Sequence, residues 1–355
     1  MPKYLLSFLL LGTFIQISAQ PIGGDNIYEF LNSAPSARIT ALGGNLITVR
    51  DDDINLAFQN PAALNPSMHH GLAFNFNNRL ADIKNGYFAF GQYVNKWDMT
   101  FHGGIHYINY GDFIKTDEIG NSEGTFDAAE QAFTVGAGKQ LFERMSVGAN
   151  LKFVNSRFES YNSTGLIGDV AVMIHDTASN VNVTLLAKNI GGQLSTYRPG
   201  NREPIPFEMQ IGISKKLQYL PFRFSIVYHN LQQWNVLYDD PNSTEDTFFL
   251  GEATAASGND FIDNLFRHLV FSGEFLFGKK ENFRLRFAYN HLKRKELTVR
   301  SLRSFHGFSL GAGFKISRFR IEYGRSFEHI AGGFNHFSIS TNLKEFTRKK
   351  RRLKG

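Results

Sequence analysis

From about residue 71 to residue 343 the chain alternates, every second position, between apolar side chains and polar or very small ones, and turns interrupt the alternation at intervals. Residues 282–290 show it most clearly. Phe283, Leu285, Phe287 and Tyr289 share one face, and Asn282, Arg284, Arg286, Ala288 and Asn290 share the other. Successive residues of a strand point to opposite sides of a sheet, so this is a run of strands with one oily and one wet face. Arginines on the enclosed face and phenylalanines on the outer one invert the layout of a soluble core. A closed barrel with lipid outside and water inside satisfies both faces.

The connections support that closure. The alternation predicts fourteen strands, an even number that returns both ends of an antiparallel barrel to one side. After the even strands the expected links are short: 95–97, 141–143, 176–180, 218–220, 278–281 and Ser317. After the odd strands they are longer, with 111–130, 189–206, 231–266 and 292–304 standing out. Short turns on the periplasmic side and long loops outside are the outer-membrane arrangement. The faces agree: Met145, Val147, Ala149, Leu151 and Phe153 are expected to point out, and Ser146, Gly148, Asn150 and Lys152 to point in. The fold expected is therefore all-β, a 14-stranded antiparallel transmembrane β-barrel with an N-terminal plug segment.

Four regions follow along the chain. Residues 1–19 read as a signal peptide: Lys3, an apolar stretch over 4–15, and Ile17-Ser18-Ala19 before the cut. Residues 20–70 precede the first strand. They are the natural plug, because fourteen strands enclose a lumen too wide for wall side chains to fill. Residues 71–343 form the barrel, and 344–355 a basic periplasmic tail. That tail carries seven basic residues against Glu345 and accounts for the entire formal net charge of +6, so no nucleic-acid-binding surface is expected. Without cysteine, no disulfide framework or thiolate site is available. Export without disulfides fits the bacterial outer membrane. Within the plug, Asp51-Asp52-Asp53 precede Ile54-Asn55-Leu56-Ala57-Phe58, where an Asp can cap a short helix that Asn60-Pro61-Ala62 then stops.

Several motifs carry a resemblance. Gly23-Gly24, Tyr28-Glu29-Phe30-Leu31, Ser36-Ala37-Arg38, Ala41-Leu42-Gly43-Gly44, the run 51–57 and Asn60-Pro61-Ala62 come in that order. Later come the runs 105–113 and 146–153. Together they resemble the PorQ branch of the PorV/PorQ family of the type IX secretion system, within the FadL-like outer-membrane β-barrels. The resemblance implies a non-catalytic subunit of a surface attachment complex. Its implied partners are a PorZ-like surface protein, a PorU-like sortase, a PorV-like barrel and outer-membrane lipid or lipopolysaccharide. It also leaves a second role open, a FadL-like channel for small hydrophobic compounds. In such channels a kink in the third strand opens a lateral exit.

Candidate sites follow from placement. Gly307-Phe308-Ser309-Leu310-Gly311 fits a nucleophile-elbow pattern, but Ser309 sits inside an alternating strand with no helix after it, so catalysis is not expected. His102 and His106, four apart on one strand, are roughly 13 Å apart and too distant to share one metal. Lumen hydrogen bonding is expected of them, and no cofactor. Gly103-Gly104 between them suggests a bulge. Glu274, Arg284, Arg286, Arg320 and Glu322 are expected to face inward, forming either a lumen charge network of their own or a clamp on the plug through Asp51, Asp52 or Asp53. The loop 231–266 carries Trp234, Tyr238, Phe248, Phe249, Phe261 and Phe266. An exposed loop this apolar should bind a partner or fold over the barrel mouth.

Overall fold

A computed structural model describes residues 26–79, 82–237, 260–278, 280–297, 305–329 and 332–346. The signal-peptide region, most of the basic tail, and Tyr238, Phe248 and Phe249 lie outside the described residues. The alternating segments form β1 (Gly71–Asn78), β2 (Lys84–Val94), β3 (Met99–Thr116), β4 (Ser122–Phe142), β5 (Met145–Phe158), β6 (Tyr161–Asp176) and β7 (Val181–Ser195). They continue as β8 (Glu208–Lys216), β9 (Phe222–Tyr228), β10 (Leu269–Phe277), β11 (Phe283–Asn290), β12 (Phe308–Ile316), β13 (Phe319–His329) and β14 (Gly332–Asn342). Each strand pairs antiparallel with its sequence neighbours. β1 closes the ring on β14, from Gly71 opposite Asn342 to Asn78 opposite Asn335. Closure removes the sheet edges that hydrocarbon could not hydrogen-bond.

Burial follows the expected parity. Leu151, Phe153, Val170, Val172, Ile174, Leu310, Phe314, Phe337 and Ile339 stand exposed on the outside of the wall, whereas Ser146, Asn150, Lys152, Arg286, Glu322 and Ser338 are buried within it. An apolar outer wall around a polar interior is stable only where lipid meets the wall, and this is an outer-membrane barrel.

Two expectations about the wall are corrected. The span 111–130 is largely strand, because β3 runs to Thr116 and β4 starts at Ser122. β2 stops facing β3 at Lys84 opposite Asn109, and β5 stops facing β4 at Phe158 opposite Ala128. Beyond these points β3 and β4 pair only with each other, after a register shift between Asn109 and Asp112. They form a two-stranded ribbon projecting about 20 Å from the outer rim. Its polar composition looked like a loop, but each strand satisfies the other's backbone, and Phe113 stacks on Phe126 at 5.2 Å. Likewise β7 continues to Ser195, into the span expected to be loop. The second correction concerns Gly103-Gly104. Register runs unbroken through both residues toward β2 and β4, so no bulge lies there. Gly104 instead makes room for Tyr87, whose hydroxyl oxygen would stand 2.7 Å from an added methyl carbon.

Inside the barrel, residues 26–70 fold into short turns. Ser36 Oγ accepts from the Ile39 N–H at 3.4 Å and starts α1 (Ala37–Ala41). The expected Asp cap is not made: Asn55 holds the cap position of α2 (Leu56–Gln59) without a side-chain bond, and Asp53 Oδ1 accepts instead from the Asn55 N–H at 3.1 Å, in a turn ahead of the helix. Two Asn-Pro turns end the segment. Asn60 Oδ1 accepts from the Ala62 N–H and Asn65 Oδ1 from the Ser67 N–H, both at 2.9 Å, with Pro at the first position of each turn. Ile39, Leu42, Leu46, Ile47, Leu56, Phe58, Leu64 and Met68 are almost wholly buried and pack against Ala73, Ala89, Met173, Leu186, Val227 and Val270 of the wall. The barrel thus has an apolar core of its own within the lumen.

Candidate functional site

The plug fits the wall through small residues. A methyl group on Gly148 would overlap the Pro61 carbonyl, and one on Gly324 would overlap the Ala37 carbonyl. At Gly138 the Pro61 oxygen would stand 2.6 Å away, and at Gly91 the Met68 oxygen 2.7 Å away. Several of the tiny residues on the inner face therefore mark the plug's footprint. Plug backbone and wall backbone come too close there for any side chain.

Charge also fastens the plug, to β10 and β13 directly and to β11 through Glu274. Arg38, buried in α1, donates from Nη1 to Asp51 Oδ1 and Asp53 Oδ2, both at 3.1 Å. Its Nη2 donates to Asp51 Oδ2 at 2.7 Å and to Glu274 Oε2 of β10 at 3.1 Å. Glu274 also accepts from Arg286 Nε at 2.7 Å and pairs with Arg223 Nη2 at 3.0 Å. Arg286 Nη2 reaches Glu322 Oε1 at 2.7 Å, and Arg320 reaches Asp52 at 2.9 Å. Buried charges are tolerated only when paired and hydrogen-bonded, and here plug and wall each supply both signs.

The structure brings together most of the charges named from sequence. Glu274, Arg284, Arg286 and Glu322 are buried on the inner face. The clamp is built differently from the expectation. Arg286 does not touch the plug acids but orients Glu274. Arg284 pairs with Glu281 of the adjacent turn at 3.5 Å, and only Arg320 reaches an acid of the 51–53 run directly from that set. Sequence reasoning missed Arg38 and Arg223 as members. Arg38 is a lone cation between Ala37 and Ile39, and Arg223 shares the inward parity of Ser225 and Val227. Those two signals could have found them.

A second polar seat lies on β5 and β6. Asn150 Nδ2 donates to the carbonyls of Ala57 and Phe58 at 3.0 and 3.3 Å. Lys152 Nζ bonds Asp169 at 3.0 Å and lies 4.7 Å from the centre of the Phe58 ring. His102 and His106 face the lumen as expected. His102 Nε2 bonds Asn150 Oδ1 at 2.8 Å, and His106 Nε2 bonds Asn85 Oδ1 at 2.9 Å. Among the described residues no cluster of three or more His, Asp or Glu could hold a metal ion. Ser309 is buried inside β12.

At the outer mouth a cavity of about 260 Å³ separates the plug from the rim. Glu29, Ser33 and Thr40 line its floor, and Arg79, Tyr110, Lys293, Glu328 and Phe334 line its wall. Lys293 pairs with Glu328 at 2.6 Å, and Arg79 lies 5.2 Å from the centre of the Phe334 ring. The other outer feature is the link between β9 and β10. It contains α3 (Asp260–Arg267), which packs beside α4 (His291–Glu296). Trp234, Phe261 and Phe266 stand exposed there.

No family model matches the chain, and no curated protein matches it. Among solved structures it is similar to the toluene transporter TodX of Pseudomonas putida, at 12% identity and a TM-score of 0.48, covering 87% of this chain and 96% of that one. It is similar to a FadL homologue of Pseudomonas aeruginosa at 10% identity and a TM-score of 0.44, covering 88% and 98%. A porin of Rhodopseudomonas blastica gives 8% identity and a TM-score of 0.30, covering 76% and 98%. At these identities and scores the case for an outer-membrane barrel rests on the chain's own closed pairing and inverted burial.

Proposed function

We propose that this chain is an anchor and not a conduit: a plugged outer-membrane barrel, exported by its N-terminal signal with both termini periplasmic, that holds a protein complex at the cell surface. The observation that carries this reading is the lock between plug and wall. Arg38 is buried among Asp51, Asp53 and Glu274, and wall glycines leave no room between plug backbone and strand. A permanently seated plug supports a scaffold. The unbroken pairing of β3 with β2 and β4 at Gly103-Gly104 also removes the sequence hint of a lateral exit. The projecting β3–β4 ribbon gives a surface partner something to hold. The sequence resemblance then suggests the finer role, a non-catalytic subunit of a type IX attachment complex beside a PorZ-like surface protein, a PorU-like sortase and a PorV-like barrel. Purification in mild detergent followed by mass spectrometry tests it. Recovery of a sortase-like protease and a surface protein with the barrel is the expected result, and recovery of the barrel alone would reject it.

One observation favours transport as a second reading. The vestibule of about 260 Å³ carries Phe334, Tyr110 and Ile108 alongside its charges, enough to take up a small amphiphile. Uptake of a small hydrophobic compound into vesicles holding the purified barrel would support that role.

A further inference from the structure

Helix α3 is amphipathic in the wrong sense for a helix bathed in water. Its polar residues face the protein, and its apolar ones face away. Asn264 is buried, while Phe261 is 60% and Ile262 49% exposed, with Phe266 beside them on the same side. The inward face is firmly held. Asn264 Oδ1 accepts from the Val236 N–H at 3.1 Å, and Asp263 binds His291 at 3.1 Å and Lys295 at 2.8 Å, both on α4. The outward face is therefore a fixed orientation and not a helix waiting to roll over.

That face is continuous with the lipid-facing wall. Tyr228, on the outward side of β9, stacks on the His268 ring at 4.7 Å. His268 stacks on Trp234 at 5.7 Å, and Trp234 meets Phe261 at 5.1 Å. A second contact joins Phe266 to Phe271, on the outward side of β10, at 6.3 Å. The described part of the loop thus meets the lipid-facing side of β9 and β10 at their outer ends. Tryptophan and tyrosine gather at membrane–water boundaries, and a helix with one large apolar face lies in that boundary plane.

We infer that α3, with Trp234, is an interfacial membrane helix whose exposed face of Phe261, Ile262 and Phe266 is covered by the acyl chains of the outer leaflet. The sequence left these aromatics either to a protein partner or to a fold over the barrel mouth. Continuity with the wall assigns them to lipid, and leaves the ribbon and the mouth for proteins. The inference rests only on the barrel's place in a membrane and holds whether the barrel anchors or transports.

The chain has two tryptophans, Trp97 and Trp234, which makes the test direct. Trp97 lies in the link between β2 and β3, at the opposite end of the barrel. The Trp97→Phe variant leaves Trp234 as the sole fluorophore. In phosphatidylcholine vesicles its emission should fall about two-fold when the acyl chains are brominated near the headgroup. Soluble acrylamide should quench it little. The Trp234→Phe variant reports insertion through Trp97 and guards against a misfolded sample. Adding Phe261→Asp and Phe266→Asp to the Trp97→Phe chain should lift α3 from the lipid and abolish most of the bromine quenching. If Trp97 shows insertion while Trp234 responds to acrylamide and not to bromine, the inference is overturned and the face returns to a protein partner. Unchanged bromine quenching in the double aspartate variant would equally overturn it.

Discussion

Arg38 in the plug and Glu274 on the inner face of β10 meet at 3.1 Å, both sealed from solvent, although 236 positions separate them in the chain. Arg38 also holds Asp51 and Asp53, so one guanidinium ties the plug to itself and to the wall. Replacing it with methionine leaves three carboxylates facing one another. Loss of one partner from a buried ion pair costs about 3–5 kcal/mol. Arg38→Met should therefore lower the denaturant midpoint of the folded barrel, read from its heat-dependent mobility on gels. Adding Glu274→Gln should restore part of the loss, and a double variant no better than the single one would argue against direct coupling.

Arg286 and Arg284 lie two residues apart on β11, yet only Arg286 belongs to the lock. It bonds Glu274 and Glu322, whereas Arg284 turns to Glu281. In planar bilayers Arg286→Met should raise ion leakage through a loosened plug, and Arg284→Met should leave conductance near that of the parent. Equal leakage from both would mean that the charges act as a diffuse field and not as specific pairs.

The glycine footprint makes a separate claim. Gly148→Ala and Gly324→Ala each push a methyl into plug backbone, and overpacking of this kind costs about 1–3 kcal/mol. Gly192 has open space around its position, so Gly192→Ala should be silent. Limited proteolysis of the segment before β1 reads the difference: faster cleavage in the first two variants, parental cleavage in the third.

Strong acid should loosen the hold of α4 on α3. Burial alone would raise the Asp263 carboxyl, but hydrogen bonds from Lys295, His291 and Arg267 hold it well below the ordinary carboxylate range. A depressed folded value means the tie is complete above the unfolded carboxylate value, about 3.9, and weakens as pH falls through the folded one. Trp234 emission in the Trp97→Phe chain should stay flat from neutral to mildly acid pH and shift only in strong acid. Asp263→Asn should show the loosened signal at neutral pH and lose the acid step.

The lesson about legibility differs from one element to the next. In β5 and β11 the assignment of inside and outside was readable directly, because a strand's two faces are set by adjacent residues. The plug was legible as a need, since the lumen required filling, but its seat was not. Gly148 reads in sequence as a small lumen-facing residue, and only the approach of Pro61 shows why nothing larger fits. The ribbon at the end of β3 and β4 read as a loop because its pairing joins residues such as Phe113 and Phe126, with polar turns between them.

Alternation by itself determined the barrel, its strand number, the lipid-facing side and the location of the plug. These depend on a period of two residues, a local property that any short window displays. Tertiary structure alone decided that Arg38 meets Glu274, that Arg286 and not Arg284 supports that pair, and that α3 turns its phenylalanines toward the lipid side. Those choices depend on ring closure and on how far each strand reaches past the rim, which bring together side chains with no shared sequence neighbourhood.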